Sequence, residues 1–167
     1  MDHVDHVLAQ WRQERSDLDV SPMATTGRLK RLAGFFLREM EETWGEFDLH
    51  QASFDVLATL RRAGSPYALS PSDLIASTMV TSGTMTNRVD QLEKAALVTR
   101  VQSDEDKRSF LIRLTPKGRA LIDKAMEEHV KTLNRLTHML SKKEQAALNR
   151  LLRKMLLSFE AKATGAE

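Results

Sequence analysis

Six polar side chains between residues 82 and 91 have the composition of a surface that could read DNA bases. They are the short donors and acceptors, with one cation, of Ser82, Thr84, Thr86, Asn87, Arg88 and Gln91. Such groups can hydrogen-bond to base edges in the major groove of double-stranded DNA. Apolar residues recur at steps of three and four in the same segment, at Met85, Val89, Leu92 and Ala96. This spacing predicts a helix with those four on one face. An ordinary amphipathic helix with a solvated polar face has the same pattern, so this segment alone leaves both interpretations open.

A second helix is predicted just before this one. Ser70 can cap free backbone N–H groups, Pro71 suits the first helical position, and Asp73 favours the positive end of the helix dipole. Residues 78–81 interrupt the apolar pattern, and Thr81 is the expected cap of the following helix. The two helices and the break between them therefore predict a helix-turn-helix.

A β-hairpin is predicted directly after the helix-turn-helix. Residues 97–101 have the apolar, β-branched character of a strand. Residues 109–114 alternate, with Phe110, Ile112 and Leu114 on one side. A charged hairpin in this position is typical of a winged helix, whose tip can reach a minor groove or the phosphates.

The tip of this wing carries charges of both signs. Asp106, Lys107 and Arg108 are the wing residues expected to take part in DNA binding, with Arg108 as the probe of the groove. Asp106 is expected to hold Arg108 in position by a charge-assisted hydrogen bond rather than to face a phosphate. An acidic, solvated hairpin tip is the alternative for this segment.

Several short motifs follow one another in a specific order and spacing. They are Phe54-Asp55-Val56-Leu57-Ala58-Thr59-Leu60, Leu69-Ser70-Pro71-Ser72-Asp73-Leu74, Ser82-Gly83-Thr84-Met85-Thr86-Asn87-Arg88 with Leu92-Glu93, Leu97-Val98-Thr99-Arg100, Asp106-Lys107-Arg108 and Leu114-Thr115-Pro116-Lys117-Gly118. Over roughly residues 28–157 this series resembles the MarR family of transcriptional regulators. The resemblance implies a mainly α fold with a small β-wing. A winged helix-turn-helix DNA-binding lobe is expected over residues 49–115. A helical dimerisation lobe is expected over 1–48 and 116–162, with a disordered tail over 163–167.

Two positions depart from the family pattern. Ala96 stands where the family usually has a glycine at the end of the recognition helix. If this residue is left-handed, alanine costs about 1 kcal/mol relative to glycine. Ser103-Asp104 stands where the family often has Asp-Pro, which predicts a looser wing tip.

The helices predicted at the two ends of the chain have broad apolar stripes. The first covers residues 2–15 and is too short to be stable alone, so it must pack on something, with a partner subunit as one candidate. The last follows a predicted capping box formed by Ser141 and Glu144. In a MarR-like fold such helices interleave with a second copy, which implies a homodimer on a palindromic operator with half-sites about one DNA turn, or a multiple of it, apart. A monomeric bundle that buries both stripes is the alternative.

Composition limits the remaining function classes. The chain has 167 residues, enough for one domain or two small lobes, and a net charge of only +2, so a nucleic-acid site must come from local placement of charge. It contains no cysteine, which excludes disulfides and thiol redox sensing. We expect a cytoplasmic protein, since we find neither a signal peptide nor an apolar run long enough to span a membrane.

The sequence offers little that could support catalysis. The spacing of its five histidines gives no closed metal site, although a long-range assembly of His50, His129 and acids stays open. No nucleophile elbow or phosphate-binding loop is present. The chain is therefore not expected to be an enzyme, and no metal or cofactor is expected.

An effector site is implied by the resemblance rather than by any motif. Family members often bind small aromatic or phenolic ligands between the dimer helices and the winged lobe. In this chain the lining residues would be Phe36, Met40, Trp44, His50 and Phe54, with Phe35 and Leu57 beside them. Such a set would suit a flat organic acid or phenol. The alternative is that this aromatic stripe is hydrophobic core.

Two functions from different classes follow. The first is a dimeric, sequence-specific DNA-binding regulator, expected to be a repressor released by a small aromatic ligand. The second is a winged-helix module that uses the polar helix to bind a protein partner. The first is favoured because Thr86, Asn87 and Arg88 precede a wing that carries Arg108.

Overall fold

The computed structural model of the chain describes residues 1–78, 82–103, 107 and 109–163, and for 82–84 and 163 the backbone alone. The described helices are α1 (His3–Glu14), α2 (Pro22–Gly45), α3 (Gln51–Arg62), α4 (Pro71–Ser77), α5 (Ser82–Lys94), α6 (Pro116–Thr137) and α7 (Lys142–Ala163). The described strands are β1 (Ala68–Leu69), β2 (Val98–Gln102) and β3 (Phe110–Leu114). The predicted class, mainly α with a small β-wing, is confirmed. The chain divides into a first compact unit over Met1–His129 and a second unit from Val130 onward.

The core of the first unit lies under the helix-turn-helix and its sheet. Leu57 and Leu60 of α3, Leu74 of α4 and Ile112 of β3 are all buried, together with Met85 of α5. Each large aliphatic side chain that is removed from water contributes roughly 1.5–3 kcal/mol. The helices and the sheet are therefore held together mainly by this shared apolar contact.

The wing is a three-stranded antiparallel sheet with the order β1-β3-β2. β3 is the central strand, so Arg113 faces Ala68 on one side and Thr99 on the other. The predicted alternation is confirmed for Ile112 and Leu114, which are buried, and for Arg113, which is exposed. Phe110, predicted on the side of Ile112 and Leu114, is 43% exposed at the start of the strand. The short strand β1, just before α4, pairs antiparallel with β3 and completes the sheet.

The end of the recognition helix α5 differs from the prediction. The helix stops at Lys94, and Ala96 is exposed with φ of 58° rather than buried on the apolar face. The N–H of Ala96 donates to the carbonyl of Glu93, and the N–H of Leu97 donates to that of Leu92, both at 2.9 Å. These two bonds form a Schellman motif, which requires a left-handed residue at its first position after the cap. The turn geometry therefore removed Ala96 from the helical face.

The start of α6 is held close to this turn. The hydroxyl of Thr115 donates to the carbonyl of Ala96 at 2.8 Å and accepts from the N–H of Gly118 at 2.9 Å. A β-carbon at Gly118 would lie 1.9 Å from the carbonyl oxygen of Leu97. Only glycine lets the first turn of α6 lie this close to the Leu97 carbonyl, which explains why the motif that begins at Leu114 ends in Gly118.

The short helix α1 packs on α2 of its own chain. Val4 and Leu8 of α1 form a small apolar cluster with Val20. The Arg28 side chain hydrogen-bonds to Asp2 at 2.7 Å and to Asp5 at 2.5 Å, and the bond to Arg28 lowers the pKa of Asp2. The helix therefore has the packing partner that its length requires without a second subunit.

The second unit contains the end of α6 and the whole of α7. The predicted capping box is confirmed, since the N–H of Ser141 donates to Glu144 and the N–H of Glu144 donates to Ser141. Large apolar side chains of α7 are exposed, by 40–65%: Leu148, Leu151, Met155, Leu156, Leu157 and Phe159. Apart from Ala163, which ends α7, the predicted tail lies outside the described residues. No helix in the described part of the chain is long and apolar enough to cross a membrane.

Candidate nucleic-acid interface

Helix α5 presents a polar face because its opposite face is anchored in the core. Met85, Val89 and Leu92 are at most 3% exposed, whereas Thr86 and Asn87 are exposed to solvent. The predicted separation of the two faces is therefore confirmed for these residues. The backbone of Ser82 and Thr84 belongs to the first turn of α5, but the positions of their side chains lie outside what the structure describes, as does Thr81.

Arg88 does not extend freely from the polar face. Its Nη1 atom donates to the Gln91 side chain at 2.8 Å and to the hydroxyl of the buried Ser53 on α3 at 3.3 Å. Its Nε atom is buried without a hydrogen-bond partner among the described residues. The side chain therefore lies partly against α3, and contact with a base would require it to rotate outward.

Arg100 joins the recognition helix to the wing. From β2 its guanidinium donates to Asp90 at 2.5 Å and to Glu93, both on α5, and it lies over the ring of Phe110 on β3 at 5.7 Å. The backbone N–H of Arg100 also donates to Glu93 at 3.2 Å. The bond to Asp90 raises the pKa of Arg100, so the cation is kept. Arg100 therefore ties α5 to both strands of the hairpin, a contact that no local sequence pattern predicts.

The described part of the wing tip is closed by two contacts. The N–H of Ser103 donates to the carbonyl of Ser109 at 3.0 Å. The side chain of Gln102 donates to the carbonyl of Lys107 at 2.5 Å, and Lys107 itself is exposed. Asp106 and Arg108 lie outside the described residues, and so does the hydrogen bond predicted between them.

The residues expected to line an effector site divide into two sets. Trp44 and Phe54 are buried and stack with ring centroids 5.0 Å apart, and His129 packs against both at 5.6 and 4.9 Å. Phe36 and Met40 are half-buried, and His50 is exposed at the start of α3. The structure therefore brings Trp44 and Phe54 together as core residues and leaves His50 apart from their stack.

The aromatic stack contains two polar atoms that make no hydrogen bond within the described structure. They are Nε1 of Trp44 and Nδ1 of His129, both buried. Burial lowers the pKa of His129, because the charged imidazolium would lose its solvation there. Burial thus favours the neutral form of His129. Among the described residues no group of three or more histidines or acids is arranged to hold a metal ion.

Comparison with known proteins identifies relatives with the same architecture. The MarR family profile matches residues 47–109, from just before α3 to the residue that precedes β3. The regulator PecS of Dickeya dadantii (strain 3937), described as an HTH-type transcriptional regulator, is 40% identical over 149 residues, which cover 89% of this chain and 90% of PecS.

Two solved structures extend this comparison. A variant of Escherichia coli MarR in complex with operator DNA superposes with a TM-score of 0.71 at 28% identity, covering 83% of this chain and 99% of that chain. BpsR of Bordetella bronchiseptica, whose DNA binding is regulated by 6-hydroxynicotinic acid, superposes with a TM-score of 0.68 at 28% identity, covering 78% of this chain and 91% of BpsR. The helix-turn-helix, the wing, the profile match and the similarity to PecS together show that this chain belongs to the MarR family of winged-helix transcriptional regulators.

Proposed function

We propose that this protein is a homodimeric repressor that binds a palindromic operator and is released from it by a small organic ligand. The observation that carries the proposal is the exposed polar face of α5, anchored by its buried apolar face and joined to the wing through Arg100. The complex of E. coli MarR with operator DNA supports this use of the face in a related fold. A protein-interaction module remains the alternative that experiment must exclude.

Base readout is assigned to α5 and phosphate contact to the wing. Thr86 and Asn87 offer exposed donors and acceptors, and Asn87 can pair with an adenine edge through two hydrogen bonds. Arg88 adds a cation if it leaves Ser53, with Ser82, Thr84 and Gln91 as further polar contacts. Lys107, with Asp106 and Arg108, is assigned to the neighbouring groove and its phosphates.

DNA titrations at several salt concentrations test this assignment. If the protein neutralises several phosphates, log affinity should fall with log salt at a slope of roughly 0.9 per phosphate, and Arg108→Ala should weaken binding to all sequences. Asn87→Ala should instead cost about 1–3 kcal/mol on the preferred site and little on random duplex. Asn134→Ala, an exposed asparagine on α6, is the matched control and should change neither. Binding that ignores salt would favour the protein-interaction module.

Exposed apolar side chains support dimerisation. In the second unit, Leu151 and Leu156 are 58% and 57% exposed, and in the first unit Phe35 is 48% exposed beside a groove of about 710 Å³ between α1 and α2. Apolar patches of this kind usually mark an interaction site. The proposed two-fold dimer would bury them and place two recognition helices about one DNA turn apart.

Two glutamine variants on α7 test the dimer. Leu156→Gln should shift the mass measured by light scattering toward the monomer, because a buried leucine contributes roughly 1.5–3 kcal/mol to an interface. Lys154→Gln, two residues away, has the same new side chain and should leave the mass unchanged. A dimer that tolerates Leu156→Gln, or a wild-type monomer, would contradict the proposed use of α7.

The effector is proposed to be a small aromatic or phenolic compound. Regulation of BpsR by an aromatic acid supports this class. The site predicted from Phe36, Met40, Trp44, His50 and Phe54 remains a proposal, and occupation between Trp44 and Phe54 would require their stack to open. Such a ligand must bind the arrangement that cannot bind DNA more tightly, and tenfold release needs a coupling of only about 1.4 kcal/mol.

A further inference from the structure

A second cavity lies away from the predicted effector residues, at the base of the wing. It has a volume of about 590 Å³ and opens between the sheet and the first turns of α6. Arg113 of β3 and Arg119 of α6 both line it. β3 rises about 3.4 Å per residue, so Arg113 lies roughly 10 Å along the strand from Phe110, where β3 begins. None of the DNA-reading residues named above lines the cavity.

The guanidinium groups of the two arginines in this cavity have N–H donors available for a ligand. Arg113 is exposed and makes no ion pair within the described part of the chain. The Arg119 guanidinium lies 4.6 Å from the ring centroid of Tyr67, and its Nε is 3.9 Å from the carboxylate of Asp123, too far for a strong hydrogen bond. Both planar guanidinium groups can therefore donate to a carboxylate.

The one acid of the cavity lining is already compensated. Asp123 accepts from Nε of Arg61 at 2.6 Å, and the Arg61 guanidinium also lies over Tyr67, at 5.1 Å from the ring centroid. Tyr67 thus contacts two guanidinium groups, which limits their movement before any ligand arrives. Counting Arg61, Arg113 and Arg119 against Asp123, the local charge is positive, and a small anion is favoured.

The remaining wall of the cavity is mostly apolar. Pro116 and Ala120 are exposed there beside the arginines, the buried Leu114 contributes little surface, and Thr99 and Thr115 add hydroxyl groups. Inorganic phosphate would leave this wall without a partner, whereas an organic acid could place its carboxylate on the arginines and its hydrocarbon part on the wall. The volume is in the range of pockets that hold small ligands.

We propose that this cavity binds a small organic acid, with its carboxylate between Arg113 and Arg119 and its apolar body against Pro116 and Ala120. The bound acid would join β3 of the wing to α6. An effect on operator affinity follows only if the acid binds one arrangement of these two elements more tightly, and this consequence alone rests on the proposed DNA-binding function.

Calorimetric titration of the free full-length protein tests the site without DNA. The probes are benzoate, phenylacetate and hexanoate, each compared with its neutral amide, and inorganic phosphate. Arg113→Gln and Arg119→Gln remove one cation each, and Lys124→Gln, an exposed cation on α6 that does not line the cavity, is the matched control. Arg113→Gln changes an exposed strand position without a described ion pair, so it is expected to fold normally.

The proposal expects at least one carboxylate to bind with Kd of about 1 mM or below, and its amide at least tenfold more weakly. Each arginine variant should lose roughly tenfold in affinity, as expected for one charge-assisted hydrogen bond, and Lys124→Gln should lose nothing. The proposal is overturned if no carboxylate binds below roughly 10 mM, if binding survives in both arginine variants, or if phosphate binds as tightly as the acids. It is also overturned if Arg113→Gln weakens DNA binding and its salt dependence without any acid, since Arg113 would then be a DNA contact. A protein that binds the acid but not DNA would refute the proposed function and leave this site intact.

Discussion

Replacing Ala96 with glycine should stabilise the chain, whereas the same change at the neighbouring Ala95 should destabilise it. Ala96 has φ of 58°, in the left-handed region where a β-carbon costs an L-residue roughly 1–2 kcal/mol. Removing the β-carbon relieves this strain, but glycine also makes the unfolded chain more flexible, which offsets about 0.4–1 kcal/mol of the stabilisation. The centres of the two ranges differ by about 0.8 kcal/mol, which is the gain expected for Ala96→Gly.

No other interaction of Ala96 contributes much to the change in the free energy of unfolding. The methyl group of Ala96 is exposed, and the hydrogen bonds of the turn are made by backbone atoms that glycine also has. Ala95 lies outside the left-handed region, so glycine there adds only flexibility and should cost about 0.5–1 kcal/mol. The pair of variants therefore differs in sign, with identical chemistry one residue apart.

Urea unfolding followed by circular dichroism measures both variants. All samples should be at one protein concentration, because an oligomer's stability depends on it. We expect the midpoint to rise for Ala96→Gly and to fall for Ala95→Gly, with unchanged slopes. If Ala96→Gly lowers the free energy of unfolding as Ala95→Gly does, the left-handed turn at the end of α5 is wrong.

Three further substitutions test other parts of the account. Gly118→Ala should lower the free energy of unfolding by at least about 2 kcal/mol in the same urea assay, because its β-carbon would collide with the Leu97 carbonyl; a neutral result would refute the close approach of α6. Arg100→Met should lower the free energy of unfolding by at most about 1 kcal/mol, since the ion pairs of Arg100 are partly exposed. It should nevertheless weaken operator binding, because the wing would no longer be held against α5. Unchanged operator affinity would exclude a role of Arg100 in positioning the wing. Because burial lowers the pKa of His129, the unfolded chain binds the extra proton, and wild-type stability should fall as pH drops through the ordinary value of 6.5. His129→Phe should reduce this fall, and an identical pH profile in the variant would contradict the buried neutral imidazole.

The parts of the fold that the sequence predicts correctly depend on contacts between near neighbours. The Ser70 cap, the Ser141–Glu144 capping box and the alternation of β3 each involve residues within a few positions of one another. The alternation follows from the strand repeat, and the caps follow from the short reach of a Ser or Glu side chain to backbone N–H groups at the start of a helix. The exposure of Thr86 and Asn87 was predictable for the same reason, since the helical period separates them from the buried face.

Contacts between distant segments could not be predicted in this way. Arg88 reaches Ser53, which is 35 positions earlier in the chain, and periodicity places Arg88 on the polar face without showing that contact. Arg100 meets Asp90 only because the turn at Ala96 reverses the chain between them. That turn also explains why Ala96 was wrongly placed on the apolar face of α5. The helical spacing of apolar residues can continue in the sequence beyond the residue where the helix ends.

The aromatic residues of α2 and α3 illustrate the same limit for the effector site. Their spacing is compatible with a core stripe and with a ligand pocket, and only the stack of Trp44 on Phe54 distinguishes a packed arrangement from an open one. The basic cavity at the wing base, by contrast, combines residues of β3 and α6 with Tyr67, and no local pattern unites them.

The most direct test of the central claim is selection of random duplex DNA by the purified protein, followed by sequencing of the retained fraction. A dimeric, sequence-specific regulator should enrich an inverted repeat whose half-sites are about 34 Å, one helical turn, or a multiple of that apart. The same selection with Asn87→Ala should relax the preference at a symmetric pair of positions. Retention of no preferred sequence, or of one that lacks two-fold symmetry, would contradict the account.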